Sequence, residues 1–291
     1  MKAINIKEPG GAEVLEIVDF PIPIIRNDEV LIKVAASGVN RPDILQRKGL
    51  YQIPPDASPI PGLEVSGEIV EIGKDVSKTM LGKKVVALTH GGGYAEYCAA
   101  HISHCLDWPK SMNAIEAASL PETSFTVFHN LLERGNLSVG ETVLIHGGSS
   151  GIGVMAIQIA KAVGAIVIVT AGSEEKCQFC IELGADQAID YTRKEFDKEV
   201  MKFAGNGVDV VLDMVGGAYV GHNVRVLTVD GRYVSIAYLL GHKVELNLAA
   251  FILKRLTLTG STLRPQSVQQ KARIASGVRD KIWPLILQGK I

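Results

Sequence analysis

The chain has 291 residues, of which 47% are hydrophobic and 21% charged, and its formal net charge is -1 at pH 7. This composition is typical of a soluble globular enzyme with one large domain or two smaller ones. The balanced charge does not favour a nucleic-acid-binding surface, and no apolar run is long enough to cross a membrane. The N-terminus lacks the long apolar core of a signal peptide, so we expect a cytoplasmic protein.

Residues 1–118 are predicted to be mostly β-structure. Short β-rich runs punctuated by Pro, Gly and Asn favour a partly closed barrel. A helix is expected to begin near Arg41, with Asn40 as its cap and Pro42 in its first turn. The predicted strands are 3–6, 14–18, 30–35, 65–72 and 84–88.

The four cysteines do not form a recognisable metal site. Cys177 and Cys180 make a single C-x-x-C motif inside a predicted helix, whereas Cys98 and Cys105 have the wrong spacing for a second pair. A redox pair is the alternative, but the thioredoxin-like context is missing. Free thiols in a reducing compartment are therefore expected.

From residue 119 onwards strands alternate with helices, which predicts a doubly wound parallel sheet of the Rossmann type over 119–265. Residues 266–291 follow as an amphipathic helix leading back toward the first domain, with Pro284 bending its last turn. The fold class is therefore α/β. The predicted strands of the second domain are 143–145, 166–170, 188–190, 208–214, 233–237 and 256–260.

A glycine-rich turn follows the strand 143–145, and four of the seven residues from Gly147 to Gly153 are glycines. A strand, a glycine-rich turn and a helix together direct backbone N–H groups and a helix N-terminus at a phosphate, and glycines allow its close approach. The turn reads Gly148-Ser-Ser-Gly151-Ile-Gly153 rather than G-x-G-x-x-G, so it indicates a phosphate site only through its position between a strand and an amphipathic helix. A helix cap without a ligand is the alternative.

The same turn also satisfies G-x-S-x-G, the nucleophile elbow of α/β-hydrolases, with Ser149 as nucleophile. The segment 90–93, His-Gly-Gly-Gly, imitates the oxyanion-hole motif of that class. Asp213, His222 and His242 follow in a permissible order. On pattern alone a serine hydrolase remains a second hypothesis.

The tip of the second Rossmann strand bears on the choice of nucleotide. NAD sites carry Asp or Glu there to hold the ribose 2′-hydroxyl, but residues 170–173 are small and are followed by a lysine. Ser173 and Lys176 suit a 2′-phosphate, which favours NADPH over NADH, provided that Glu174 and Glu175 face away. Otherwise Ser173 is only a helix cap and Lys176 lies on a solvated face.

Seven segments together carry a resemblance to a known family, and they are 34–43, 46–51, 61–67, 91–95, 144–153, 170–173 and 190–191. Through them the chain resembles the zinc-independent quinone oxidoreductases of the medium-chain dehydrogenase/reductase superfamily, especially the tumour-suppressor-inducible branch. The resemblance covers nearly the whole chain. It implies a GroES-like β-barrel domain over 1–118 before the Rossmann domain, and it favours a phosphate-binding turn over a nucleophile elbow at Ser149.

The resemblance also implies that no metal takes part. Zinc-dependent relatives carry a ligand His in a Gly-His-Glu motif, where this chain has Gly62-Leu63-Glu64. The place of a second ligand, a Cys, reads Gly38-Val39-Asn40. Because Leu63 cannot coordinate zinc, polarisation of the substrate by a Lewis acid is not expected.

The reaction that the resemblance implies is direct hydride transfer from NADPH to a quinone or an enone-like carbonyl compound in a dry cleft between the domains. Asn40 and Tyr51 are the implied catalytic residues. Asn40 would hydrogen-bond an oxygen of cofactor or substrate, and Tyr51 would stack on the ring or donate to a developing oxyanion. A plain helix cap and a surface aromatic are the alternatives. No proton donor stands out, so solvent is expected to protonate the product.

The resemblance implies one set of contacts along the cofactor. Thr126 would touch the nicotinamide ribose or the phosphates, and residues 149–152 would hold the pyrophosphate. The implied cofactor-binding residues are Asn40, Thr126, Ser149, Ser150, Gly151, Ile152, Gly172, Ser173, Lys176, Tyr191, Ser235 and Ile236. Of these, Ser173, Lys176 and Tyr191 would bind the 2′-phosphate and adenosine end, and Ser235 and Ile236 the nicotinamide pocket.

Relatives of this kind continue beyond the position of Ile291 into a segment that completes the β-rich domain, so the sequence is expected to lack that cover. A homodimer through the edge of the Rossmann sheet, at 256–261, is also expected. The partner is then a small molecule, with neither nucleic acid nor membrane. Besides the reductase, an NADPH-binding protein without turnover and a serine hydrolase using Ser149 remain as alternatives.

Overall fold

The computed structural model describes residues 1–291, and the chain divides into two compact units. The first unit comprises Met1–Phe125 and Leu263–Leu287, and the second comprises Thr126–Thr262 and Gln288–Ile291. No helix has both the length and the apolar character needed to cross a bilayer.

The first unit is built on antiparallel strands. They are β1 (Lys2–Ile6), β2 (Leu15–Asp19), β3 (Glu29–Ser37), β4 (Glu64–Ile72), β5 (Lys84–Leu88), β6 (Tyr97–His101) and β7 (Cys105–Asp107). Strands β1 and β2 pair with each other, and the remaining five form a sheet in the order β6-β3-β4-β5-β7. Val30, Ile32, Val65 and Ile69 on the central strands are buried in one hydrophobic core. All five β-rich runs predicted for this part are strands, while the short β6 and β7 were not predicted.

The second unit is built on parallel strands. They are β8 (Thr142–His146), β9 (Ile166–Ala171), β10 (Gln187–Asp190), β11 (Val208–Asp213), β12 (Leu227–Ser235) and β13 (Thr257–Gly260). Their order is β10-β9-β8-β11-β12-β13. This is the Rossmann order, in which the chain switches direction between β8 and β11 and leaves a crevice at the carboxyl ends of those strands. The predicted α/β fold class is confirmed.

Helices connect and cover the sheets. They are α1 (Arg41–Arg47), α2 (Ala114–Ala118), α3 (Pro121–Val127), α4 (Gly151–Val163), α5 (Glu174–Glu182), α6 (Phe196–Ala204), α7 (Tyr219–Val226), α8 (Ala249–Lys254), α9 (Val268–Lys281) and α10 (Trp283–Leu287), with a π-helix at Phe128–Arg134. The predicted start of α1 is confirmed, because the Asn40 N–H donates to Asp43 Oδ2 at 2.9 Å and closes the first turn.

The C-terminal helix predicted within 266–291 is two helices. Helix α9 ends at Lys281 and α10 begins at Trp283, so the break falls just before Pro284. Proline lacks an N–H to donate, and its ring collides with the carbonyl four residues earlier, so α9 cannot continue through Pro284. Ala275 and Val278 of α9 are fully buried and anchor the helix in the first unit.

Candidate functional site

The glycine-rich turn joins β8 to α4 at the carboxyl edge of the parallel sheet. Gly147 adopts a φ of 69°, and the Ser150 hydroxyl caps α4 by accepting from the Gly153 N–H at 3.1 Å. A side chain on Gly153 would collide with the carbonyls of Gly147 and Gly148. The turn therefore needs glycine for packing, and it presents bare backbone at the N-terminus of a 13-residue helix, an arrangement suited to a phosphate.

A buried polar network fixes the strands beneath this turn. His146 lies 3.0 Å from Thr170 Oγ1 through Nδ1 and 2.7 Å from Asn223 Oδ1 through Nε2. Asp213 accepts from the Tyr233 hydroxyl at 2.6 Å and from Asn223 at 3.3 Å. Burial lowers the pKa of His146, so the network is held by a neutral imidazole. It links β8, β9, β11 and β12 just below the crevice.

The structure does not assemble the triad of the hydrolase hypothesis. Asp213 is occupied by the network and by two backbone N–H groups, at 2.6 and 3.1 Å. His222 pairs with Asp197 at 2.8 Å instead, and His242 packs edge-on against Tyr238. Without a histidine base, Ser149 has no group to activate it as a nucleophile.

A cleft of about 560 Å³ opens beside the turn. Its walls come from the turn, the tip of β9 and the start of α5. They are formed by Gly147, Ser149, Ser150, Ala171, Gly172, Glu175, Lys176, Phe179 and Tyr191. The structure thus brings together five of the predicted cofactor contacts, namely Ser149, Ser150, Gly172, Lys176 and Tyr191.

The polar groups at the tip of β9 partly correct the sequence prediction. Ser173 caps α5, its hydroxyl accepting from the Lys176 N–H at 3.2 Å. Glu174 turns toward Arg193, 3.3 Å away, but Glu175 lines the cleft next to Lys176. The expectation that both glutamates face away is therefore wrong for Glu175. Glu174 and Glu175 both lie in the first turn of α5. The N-terminus of this helix borders the cleft, and it favours an acidic side chain.

The remaining predicted cofactor contacts do not line this cleft. Gly151 and Ile152 open α4. Thr126 lies in the last turn of α3, where its carbonyl accepts from Asn130 Nδ2 at 2.9 Å. Ser235 ends β12, and the Ile236 N–H donates to the Asp213 carbonyl at 2.8 Å. The roles of these residues stay predictions.

The first unit contains a cluster of three carboxyl groups, Asp43, Glu64 and Glu122, which we call the acid cluster. Glu64 Oε1 accepts from Asn40 Nδ2, and Glu64 Oε2 from the Glu122 N–H, each at 2.8 Å. Burial raises the pKa of Glu64 to about 7. Asn40, one of the two predicted catalytic residues, is thus held by a carboxyl group that exchanges its proton near neutral pH.

Asp43 ties together three segments around the cluster. Its Oδ1 accepts from the Gly62 N–H at 2.9 Å, and its Oδ2 from the Asn40 N–H at 2.9 Å and the Tyr94 hydroxyl at 3.2 Å. Burial raises the pKa of Asp43, and these hydrogen bonds oppose the rise. Gly62 has a φ of 102°, which only glycine adopts freely. The carboxyl group of Asp43 therefore has a positioning role.

Two cations accompany the acid cluster. They are Lys271 and Arg264. Burial lowers the pKa of Lys271 to about 8. Burial and the neighbouring carboxyl groups raise the pKa of Glu122, the third acid of the cluster, to about 8. Lys271 Nζ donates to the Arg264 carbonyl at 2.7 Å. The Arg264 guanidinium carbon lies 5.6 Å from the ring centre of Tyr51, the other predicted catalytic residue. Burial raises the pKa of the Tyr51 phenol.

Sequence reasoning missed Glu122, Arg264 and Lys271, and it gave Glu64 no role. No local signal in the sequence sets these ionisable residues apart from exposed ones. Leu63, at the place of the zinc-ligating histidine, is 2% exposed and belongs to the core. No group of three or more His, Cys, Asp or Glu side chains is arranged to hold a metal ion.

Two family models match the chain. One describes the alcohol dehydrogenase GroES-like domain and matches residues 26–110. The other describes a zinc-binding dehydrogenase and matches residues 151–276. The first falls within the unit that holds the acid cluster, and the second includes the helix that follows the glycine-rich turn.

Curated relatives and solved structures match over nearly the whole chain. A human quinone oxidoreductase is 30% identical over 96% of this chain and 85% of its own length, and that of Lama guanicoe is 32% identical with the same coverage. The Escherichia coli quinone oxidoreductase complexed with NADPH superimposes with a TM-score of 0.87 at 28% identity, covering 100% of this chain and 89% of that one. The CurK enoyl reductase gives 0.87 at 29%, with the same coverage.

Proposed function

The chain belongs to the zinc-independent quinone oxidoreductase family of the medium-chain dehydrogenase/reductase superfamily, and from this membership we propose that it reduces quinones or enone-like carbonyl compounds with NADPH. The observation that carries the proposal is the cleft beside the glycine-rich turn, where bare backbone, a helix N-terminus and Lys176 meet. When bound there, the nicotinamide cofactor supplies the hydride.

At the nucleotide end, Ser149 and Ser150 hold the pyrophosphate with the N–H groups of the turn. Lys176 faces the 2′-phosphate as a point charge, and Tyr191, 46% exposed at the rim, covers the adenosine. Glu175 opposes the 2′-phosphate by like-charge repulsion, so the preference for NADPH rests on Lys176 outweighing it.

At the reacting end, Asn40 and Tyr51 position the acceptor. The amide of Asn40 donates one N–H to Glu64, which fixes its plane and leaves its oxygen and second N–H for cofactor or substrate. Tyr51 donates its phenolic proton in a hydrogen bond to the acceptor oxygen or stacks on a quinone ring. The buried carboxyl of Glu64 thus serves to hold Asn40 in its reactive orientation.

Titration of the purified chain with NADPH and NADH, followed by addition of a simple quinone, tests this proposal. We expect tighter binding of NADPH than of NADH and loss of the reduced-nicotinamide absorbance on adding the quinone. Binding without absorbance loss would instead identify an NADPH-binding protein without turnover. Labelling of Ser149 by a fluorophosphonate would restore the hydrolase hypothesis.

We further propose that two copies associate through β13, the free edge strand of the parallel sheet. Leu258 on this strand is 51% exposed, and Ile252 and Leu253 of α8 are more exposed still. Exposed apolar side chains next to an open sheet edge are favoured sites of association. Light scattering that finds only monomer at micromolar concentration would contradict this.

A further inference from the structure

Arg264 is a buried cation with unused hydrogen-bond donors. Its side chain is 5% exposed, and its Nη1 donates to Gln46 Oε1 at 2.8 Å. Its Nε and Nη2 atoms are sealed from solvent and have no hydrogen-bond partner. Leaving the donors of a charged group buried and unpaired destabilises the folded protein. Such an arrangement favours any acceptor that can reach it.

The guanidinium is held in place by its surroundings. Gln46 is itself anchored, because its Nε2 donates to the Pro59 carbonyl at 3.0 Å. Gly91, with a φ of 100°, leaves room beside Nη2, since a Cβ there would lie 3.0 Å from that nitrogen. The two unpaired nitrogens form one edge of the planar group, with two N–H bonds side by side, which we call the free edge of Arg264.

A structural ion pair does not account for this arginine. Both oxygens of Asp43 already accept from other donors, and both oxygens of Glu64 accept from Asn40 and the Glu122 N–H. Asp43 and Glu122 attract the guanidinium at longer range. The acid cluster therefore lies close enough to attract Arg264 but accepts none of its hydrogen bonds.

We propose that the free edge of Arg264 binds the oxygen of the acceptor that gains negative charge during reduction, an inference that rests on the proposed function. Hydride addition to the β-carbon of an enone moves an electron pair onto the carbonyl oxygen as an enolate, and a proton from solvent then completes the α-carbon. A quinone that takes up a hydride becomes a hydroquinone monoanion and then binds one proton. A fixed, water-excluded guanidinium stabilises either oxyanion more than the neutral ketone.

Tyr51 is the side chain that moves aside when the acceptor reaches the free edge of Arg264. Its ring lies over the guanidinium and is only half-buried, whereas the other neighbours, Gln46 and Gly91, are anchored. Displacement of the ring exposes the free edge and leaves the phenol beside the same oxygen. Arg264 and Tyr51 then donate to one oxyanion from two directions.

The test uses 4-nitrophenol, whose anion resembles a hydroquinone monoanion and absorbs visible light. The full chain is titrated from acid to base with this probe, alongside Arg264→Gln, Arg264→Lys and, as a control for charge, Arg26→Gln at an exposed position. Wild type and Arg26→Gln should lower the pKa of the bound probe by about one unit or more. Arg264→Gln should abolish the shift, and Arg264→Lys should retain only part of it, because an ammonium lacks the paired donors.

Turnover is measured on the same proteins. Arg264→Gln should lower kcat for a quinone by about 10² with NADPH affinity unchanged. Thermal unfolding measures whether Arg264→Gln folds. If it does not, Arg264→Lys serves instead, because it preserves the charge, and its kcat should still fall about tenfold. If the Arg264 variants shift the pKa of the probe as the wild type does and keep its kcat, the inference is overturned, even if the wild type is an active reductase. A lowered probe pKa in a wild type that oxidises no NADPH leaves the Arg264 site standing and overturns the proposed function.

Discussion

The glycine-rich turn of the second unit and the acid cluster of the first are built in opposite ways. The turn is contiguous, from Gly147 to Gly153, and it works through backbone N–H groups and the lack of side chains. The acid cluster joins three residues that are far apart in the sequence, Asp43, Glu64 and Glu122, and the side chains of Asp43 and Glu64 are buried. The glycine-rich turn suits an anion through its exposed backbone N–H groups. The acid cluster holds ionisable groups away from water, and this burial disfavours their charged forms.

The largest expected effect tests the turn. Gly153→Val should weaken nucleotide binding by at least about 100-fold and lower the free energy of unfolding by about 2–4 kcal/mol, because the side chain meets two carbonyl groups that cannot move apart. Calorimetric titration with NADPH and denaturant unfolding measure both effects.

The control for this change is Gly221→Ala in α7, where a Cβ would meet nothing within 4 Å. It should be neutral, or stabilise by about 0.5–1 kcal/mol, since alanine is the better helix former. Near-native nucleotide binding by Gly153→Val would mean that the turn does not approach the nucleotide.

The next effect concerns the acid cluster and pH. The pKa of Glu64 rises from 4.5 to about 7 on folding, so between these values the folded state binds more protons than the unfolded state. The contribution of Glu64 to stability is therefore fully present below its unfolded pKa of 4.5 and falls by about 3 kcal/mol as pH rises to 7. Glu64→Gln should remove this contribution, which denaturant unfolding at several pH values measures.

Glu68→Gln is the matched control, because Glu68 is an exposed residue of the same strand, β4. Its unfolding free energy should follow the wild-type pH dependence. Parallel curves for wild type and Glu64→Gln would show that Glu64 is ionised in the folded protein at pH 5–7, which contradicts its place as the neutral partner of Asn40.

The smallest effect concerns the choice between nucleotides in the cleft. Lys176→Ala should weaken NADPH about tenfold and leave NADH almost unchanged, since a single partly exposed charge contributes about 1 kcal/mol. Glu175→Gln should act in the opposite direction and tighten NADPH a few-fold. Fluorescence titrations of both nucleotides measure this, with Lys202→Ala on the exposed side of α6 as control. If Lys176→Ala weakened the binding of NADPH and NADH equally, Lys176 would not contact the 2′-phosphate.

The same contrast explains what the sequence could predict. The alternation of strands and helices and the contiguous glycines predicted the Rossmann sheet and its glycine-rich turn, because both patterns are local. The resemblance to a known family, rather than these patterns, implied the contacts at Gly172 and Tyr191. The orientation of Glu175 was missed, since it depends on the angle at which α5 leaves β9. Arg264 and Glu122 were missed because only the tertiary fold brings them near Asp43 and buries the guanidinium.

Direct hydride transfer is the central claim, and deuterium labelling tests it most directly. The chain is incubated with an enone and with each of the two C4-deuterated NADPH epimers, in the presence of a metal chelator, and the product is analysed by mass spectrometry. We predict that one epimer delivers one deuterium to the β-carbon and that the α-carbon takes its hydrogen from solvent. A reduced product without deuterium from either epimer, or a bound NADPH that is never oxidised by any enone or quinone, would contradict the account.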